Sequence, residues 1–219
     1  MRYASTIVFS PLLCLAACSW AMPAPKIDWA IAVHGGAGTM SRNAPAARLK
    51  AYEDAMESAV LRGVALLEDG ASALDVCEAV LRSLEDNPMF NAGKGAVYNE
   101  KGEHELDASI MDGSTMRCGA VAGVRTVKNP ITLARKVMTD TRHVLLAGDG
   151  AEKFADIAGV ERVENRYVDT ESRRRSLARL LRQREQTGSL VPKDRRLDYG
   201  TVGCVALDRS GRLAAATST

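Results

Sequence analysis

The chain is short of the residues that announce most kinds of chemistry. It has three histidines in 219 residues, His34, His104 and His143. They do not cluster and show no zinc-ligand spacing. Of its five cysteines, Cys14 and Cys18 fall in the first twenty residues. That leaves Cys77, Cys118 and Cys204, an odd number with no close pairing, so no disulfide framework is specified. They read as small buried hydrophobes. Aromatic residues make up 5% of the chain, too few to interleave with its basic residues as a stacking surface for nucleic acid. The net charge is only +2, which gives no field to attract a polyanion. Beyond the first twenty or so residues no hydrophobic run is long enough for a bilayer.

What is present is an ordinary soluble composition, 46% hydrophobic, in a chain long enough for one domain with a real core. Its positive excess is local. Residues 171–199 hold nine Lys/Arg against four Asp/Glu, a net of +5, so the remainder sums to −3. Arg173-Arg174-Arg175 in that stretch reads as a solvated helix face rather than a nucleic-acid site. The start of the chain reads as an export signal. Arg2 is a minimal positive region, Ser5 to Ala17 an apolar one, and Ser19-Trp20-Ala21 a small-x-small cleavage site. Leu15-Ala16-Ala17-Cys18 also resembles a bacterial lipobox. Residues 1–21 are therefore expected to be a signal peptide, or residues 1–17 a lipoprotein signal with Cys18 lipidated. Residues 22–28 are a short tether. The expected location is outside the cytoplasm of a Gram-negative bacterium, periplasmic or anchored to the outer membrane by lipid.

The periodicity predicts strands and helices in alternation. Ile27 to Val33 is an apolar run closed by glycines, a buried strand and tight loop. Pro45 to Leu67 follows helical spacing, and Gly70 ends it. Ser72 caps a second helix with Asp75 three residues on, and Pro88 follows its end. Ala96–Asn99 and His104–Met111 read as a strand pair about Glu100-Lys101-Gly102. Cys118–Val124 is a further strand, Asn129-Pro130 a helix start, His143–Ala147 a strand, and Ala151–Ile157 a helix stopped by Gly159. Leu177, Leu180 and Leu181 suggest a marginal amphipathic helix. Gly188–Asp198 reads as exposed linker. Thr201–Leu207 and Arg212–Thr219 flank the turn Asp208-Arg209-Ser210-Gly211 and make a hairpin.

The most informative segment is Asp198-Tyr199-Gly200-Thr201-Val202-Gly203-Cys204-Val205-Ala206-Leu207-Asp208. A basic, loop-like stretch ends at a glycine, and a threonine opens a buried strand. Cutting the chain between Gly200 and Thr201 gives the threonine a free α-amine beside its own hydroxyl. Nucleophile and base then sit on one residue. Gly200, without a side chain, permits the strained backbone that attack on its carbonyl needs.

This segment resembles the self-cleavage site of plant-type (type III) asparaginases, the isoaspartyl peptidase/L-asparaginase family of N-terminal-nucleophile (Ntn) hydrolases. Ile31-Ala32-Val33-His34-Gly35-Gly36-Ala37-Gly38 is similar to that family's first strand and HGGAG loop. Asn87 to Val97 is similar to its NPxFNAGxGAV loop, and Glu105 to Gly113 to its ELDAxxMDG strand. Gly119 to Val124, Asn129-Pro130, Gly148 to Glu152 and Ala214 to Thr219 follow in family order, so the likeness runs from about Trp29 to the last residue.

The resemblance implies an α/β (α+β) fold, the αββα sandwich of Ntn-hydrolases, incomplete in this chain. It implies an α-subunit core over residues 29–165, a variable basic linker over 166–200 ending at the cleavage site, and the start of a β subunit over 201–219. Thr201 is the implied nucleophile, Thr219 a second threonine supporting it, and Asn91 a loop asparagine near it. His34, Gly35 and Gly36 are implied to form a tight loop beside the site. His34 is read as structural, because the mechanism already has a base. The loop from Leu84 to Lys94 resembles one that wraps a sodium ion with carbonyls, here those of Leu84, Glu85, Asn87, Phe90, Ala92 and Lys94. No other cofactor is expected. The implied substrate is a small molecule, asparagine or a β-aspartyl peptide. The implied assembly is an α/β heterodimer within a larger oligomer.

One departure matters. The family's substrate-gripping arginine and aspartate and its oxyanion-hole threonine-glycine pair lie beyond the position of Thr219. Substrate-binding residues are therefore expected beyond Thr219, and residues 1–219 by themselves are expected to be inactive, as a fragment or truncated product. A glycosylasparaginase-like hydrolase is an alternative, against which Gly200 argues, since that branch carries Asp before the nucleophile. A non-catalytic exported remnant is the other.

Overall fold

A computed structural model describes residues 28–36, 43–188 and 200–219. The expected leader, Cys18, nearly all of the tether and residues 189–199 of the linker lie outside the described residues. In chain order the elements are β1 (Ala30–His34), α1 (Ala46–Glu68), α2 (Ala73–Glu85), β2 (Leu106–Asp112), β3 (Cys118–Val124), α3 (Pro130–Asp140), β4 (Leu145–Ala147), α4 (Gly148–Ala158), a 3-10 turn (Asn165–Val168), α5 (Glu171–Thr187), β5 (Val202–Leu207) and β6 (Leu213–Ser218). The strands form one six-stranded sheet in the order β1-β5-β6-β2-β3-β4. The β3–β4 pair is parallel and the others antiparallel. The fold is mixed α/β, as expected for an Ntn-hydrolase sandwich, and the described residues supply one sheet with its helices.

Alternation explains why the helices gather on one side. In register, Cys204, Ala216, Ile110 and Gly119 line up across β5, β6, β2 and β3. These residues face α2 and α3. The Cys77 thiol on α2 donates to the carbonyls of Cys204 and Ala214 at 3.6 and 3.5 Å. Small residues on β5 and β6 let the helix approach the sheet backbone this closely. At Gly119 an added Cβ would lie 2.2 Å from the Ala134 carbonyl oxygen of α3. On the other face Val205 and Leu213 are about half exposed, so that side of the sheet is uncovered among the described residues.

Turn chemistry sets the hairpin that carries Thr201 and Thr219. Asp208 is buried at its tip. Its Oδ1 accepts from the N–H groups of Ser210 and Arg212, and its Oδ2 accepts from the N–H of Ala73 at 3.0 Å. The last bond satisfies an orphan donor at the start of α2. The expected Ser72 cap is present, its hydroxyl accepting from the Asp75 N–H at 3.2 Å.

Three expectations need correction. Ala96–Asn99 is not a strand. Both edges of β2 are taken, by β3 and β6. Asn99 instead folds a turn, its Oδ1 accepting from the N–H groups of Lys101 and Glu103. The strand expected at His143–Ala147 is only Leu145–Ala147. Cys77 and Cys204 are free and buried, as expected, and although scattered in sequence their thiols meet in the core. The basic segment is also more regular than a linker, since Glu171–Thr187 is a full helix. Among the described residues no helix is long and apolar enough to cross a membrane.

Candidate active site at Gly200 and Thr201

Four separate pieces of chain meet at the Gly200–Thr201 peptide. Thr201 stands immediately before β5, held by its pairing with β1 and β6. Thr219 follows β6, and its N–H and C=O pair with the C=O and N–H of Asp107, both at 2.9 Å. Asn91 comes from the loop after α2. Gly36 comes from the loop after β1, with φ +119°. An added Cβ on Gly36 would lie 3.5 Å from the Gly200 Cα, so this loop passes directly over the bond.

The Gly200 carbonyl is the focus. It accepts from Asn91 Nδ2 at 2.6 Å and from Thr219 Oγ1 at 2.9 Å. The asparagine amide is oriented by its other end, where Oδ1 accepts from the Val97 N–H at 2.8 Å. A Cβ on Gly200 would lie 2.3 Å from the Asn91 Cβ. Only glycine lets this carbonyl sit against that amide. Two donors on one carbonyl oxygen are what a developing oxyanion requires.

Packing holds the donors in place. The Tyr52 hydroxyl on α1 donates to the Met89 carbonyl at 2.9 Å, and its ring meets Phe90 edge-on. Arg173 Nε donates to the Gly95 carbonyl at 2.6 Å. On the Thr219 side, Ser218 donates to Glu85 Oε1 at 2.6 Å. Glu85 is fully buried, and its Oε2 has no hydrogen-bond partner among the described residues. Burial pushes its carboxyl up to about 8, against the pull of hydrogen bonds from Ser218, Ile131 and Asn129. Beside Thr219 a groove of about 230 Å³ is lined by Asp107, Ser109, Ala120, Ala122 and Thr217, among others.

The expected residues divide as follows. Gly200, Thr201, Asn91, Thr219 and Gly36 come together. Gly35 packs behind them against Met56 and Phe90. His34 lies elsewhere, over the backbone of its cross-strand neighbour Gly203, where a Cβ would be 2.2 Å from its Nε2. In the Leu84–Lys94 loop the carbonyls of Leu84, Glu85 and Asn87 each already accept one backbone N–H. Gly93 and Gly95 both have positive φ, and an added Cβ on Gly93 would lie 2.5 Å from the Glu85 carbonyl oxygen. Among the described residues no group of His, Cys, Asp and Glu side chains is placed to hold a metal. Two features had no signal in sequence. One is the Glu85–Ser218 contact. The other is a buried His104–Asp169 pair with Nε2 and Oδ1 at 3.0 Å, 65 residues apart in the chain.

Comparison with known proteins shows the family. A family model described as asparaginase matches residues 27–219. The chain is 45% identical over 195 residues to the isoaspartyl peptidase of Escherichia coli (strain K12), covering 86% of this chain and 60% of that protein. It is 41% identical over 215 residues to the probable isoaspartyl peptidase/L-asparaginase 2 of Arabidopsis thaliana, covering 87% and 65%. It is 43% identical over 198 residues to the plant-type L-asparaginase of Pyrococcus abyssi (strain GE5 / Orsay), covering 87% and 62%. The chain thus spans about three-fifths of the length of the curated relatives it matches. With the family model covering nearly the whole chain and its motifs meeting at one carbonyl, the chain belongs to the asparaginase family.

Proposed function

We propose that the chain cuts its own Gly200–Thr201 bond and that the freed threonine is the nucleophile of an amidohydrolase. Its substrates are the side-chain amide of L-asparagine and β-aspartyl (isoaspartyl) peptides, small molecules of the kind named in its relatives. The observation that carries this reading is the convergence of Asn91 Nδ2 and Thr219 Oγ1 on the Gly200 carbonyl oxygen.

In the first step the Thr201 hydroxyl oxygen attacks the Gly200 carbonyl carbon. The oxyanion that forms already faces two donors, whose hydrogen bonds strengthen as charge develops. Collapse breaks the C–N bond, passes a proton to the Thr201 nitrogen and leaves Gly200 as an ester on Oγ. Water then hydrolyses the ester to a Gly200 carboxylate and a free Thr201. The new α-amine has an ordinary pKa of about 7.7–8.0, close enough to neutrality to take the hydroxyl proton in later turnovers. In those turnovers Oγ attacks the substrate's β-carbonyl, ammonia or an amino acid leaves, and water clears the β-aspartyl ester.

Two further parts belong to the proposal. The Leu84–Lys94 turn would hold a sodium ion through its backbone, because carbonyl oxygens are hard donors. Such an ion would supply fixed charge that stiffens the loop carrying Asn91. The cut chain would stay together as an α/β pair, since β5 and β6 are flanked by β1 and β2 in one sheet.

Intact mass measurement of the purified protein tests the reading. The expected result is two chains divided after Gly200 for the wild type and one chain for Thr201→Ala. An undivided wild-type protein, or a divided Thr201→Ala variant, would overturn it.

A further inference from the structure

We propose that His104 is a positioning residue that, as an imidazolium, holds the Asn91 amide on the Gly200 carbonyl. This rests on the self-cleavage reading above. The ring is fully buried. Its Nε2 faces Asp169 Oδ1 at 3.0 Å and its Nδ1 faces the Val97 carbonyl oxygen at 3.1 Å. A carbonyl oxygen can only accept. The Asp169 carboxylate also pairs with Arg174 at 3.6 Å and hydrogen-bonds with the Tyr98 hydroxyl. With acceptors on both sides, only the doubly protonated ring donates to both.

The consequence travels through one residue. Val97 receives His104 on its C=O and gives its N–H to Asn91 Oδ1 at 2.8 Å. Asn91 then gives Nδ2 to Gly200 at 2.6 Å. The hydrogen bonds therefore link Asp169, His104, Val97, Asn91 and Gly200 in one series. The groups about the ring are Asp169, just before α5, with Arg174 of α5 paired to its carboxylate, and Tyr98, whose ring lies 4.0 Å away between centroids. Asn165 ties the His104 backbone on both sides, its Oδ1 accepting from the N–H and its Nδ2 donating to the C=O. The adjacent Glu103 pairs with Arg125 at 3.7 Å. When the ring loses a proton, the bond to the carboxylate is kept, because it is the charge-assisted one. The Nδ1 lone pair then meets the Val97 carbonyl, and residue 97 turns away with its N–H. Asn91 loses its orientation, and the oxyanion loses a donor.

Two measurements test this. In uncut Thr201→Ala protein, nitrogen-15 NMR between about pH 5 and pH 9 reads the His104 ring, the Val97 amide and the Asn91 carboxamide. The expected result is a doubly protonated ring at low pH and one shared titration for all three. In cell-free translation, the cleavage rate of the otherwise native chain is followed on gels over the same range. It is expected to fall along that titration. His104→Asn keeps a donor near the Nδ1 position and should cut at close to the low-pH rate without pH dependence. His104→Gln keeps only the donor toward Asp169 and should cut about tenfold more slowly. If Val97 and Asn91 do not follow the ring, or the two variants cut alike, the positioning role is overturned. If the native chain is never cut while the shared titration holds, the self-cleavage reading is what fails.

Discussion

Asn91 and Gly200 are 109 residues apart in sequence, yet the Asn91 Nδ2 lies 2.6 Å from the Gly200 carbonyl oxygen. The same oxygen accepts from Thr219, so the carbonyl of the bond proposed to be cut is held by two donors. Replacing Asn91 by Ala, or Thr219 by Val, is expected to slow division of the chain by about 10²–10³-fold each, the scale of one lost oxyanion donor. Because both act on one atom, the double variant should fall short of the product of the two. Gels timed after synthesis give the rates, and wild-type speed in Asn91→Ala would remove the amide from the mechanism.

Gly200→Ala is expected to block division almost completely. The added Cβ would lie 2.3 Å from the Asn91 Cβ, and neither backbone can move freely. The folded protein should remain one chain by mass, with its thermal transition little changed.

After division the two chains are expected to co-elute on a sizing column and separate only in denaturant. Residues 201–219 form β5 and β6 inside the sheet, with β1 on one side and β2 on the other. Separation in plain buffer would contradict that pairing.

Asp208→Ala is expected to lower the melting temperature through a loss of about 2 kcal/mol, the scale of leaving buried donors unpaired. Its carboxylate serves the N–H groups of Ala73, Ser210 and Arg212 together. Asp208→Asn should recover part of the loss, and a melt by circular dichroism decides.

Glu152 predicts an acid dependence of stability. Partial burial opposes its ionisation, but the N–H groups of Arg125 and Thr126, the Thr126 hydroxyl and Arg162 outweigh it and hold the carboxyl below its usual value of 4.5. Its contribution is therefore present above the unfolded-state value and lost as the pH falls through the lower folded one. Glu152→Gln should be less stable at neutral pH, with a gap that narrows as acid is added. Denaturant melts from about pH 7 down to about pH 3 would show whether the gap closes.

Much of this protein was legible along the chain. Helix starts at Ser72 and Pro130, the stop at Gly159 and the hairpin about Asp208-Arg209-Ser210-Gly211 are local events, set by side chains a few residues from the backbone they cap. Gly200 and Thr201 stood out because a glycine-threonine junction between a basic segment and an apolar run is itself a local pattern. What only the tertiary structure decided is who meets whom. Ala96–Asn99 has strand-like residues, yet β6 already occupies the edge of β2 it would need. The position of α5 is set where Asp169, just before it, and Arg173, near its start, are tied to His104 and Gly95. Gly200 is 109 residues from Asn91, Asp169 65 from His104, Ser218 133 from Glu85 and Cys204 127 from Cys77. Hydrogen bonds act over about 3 Å, and no spacing in one dimension records which distant atoms the folded chain brings within that reach.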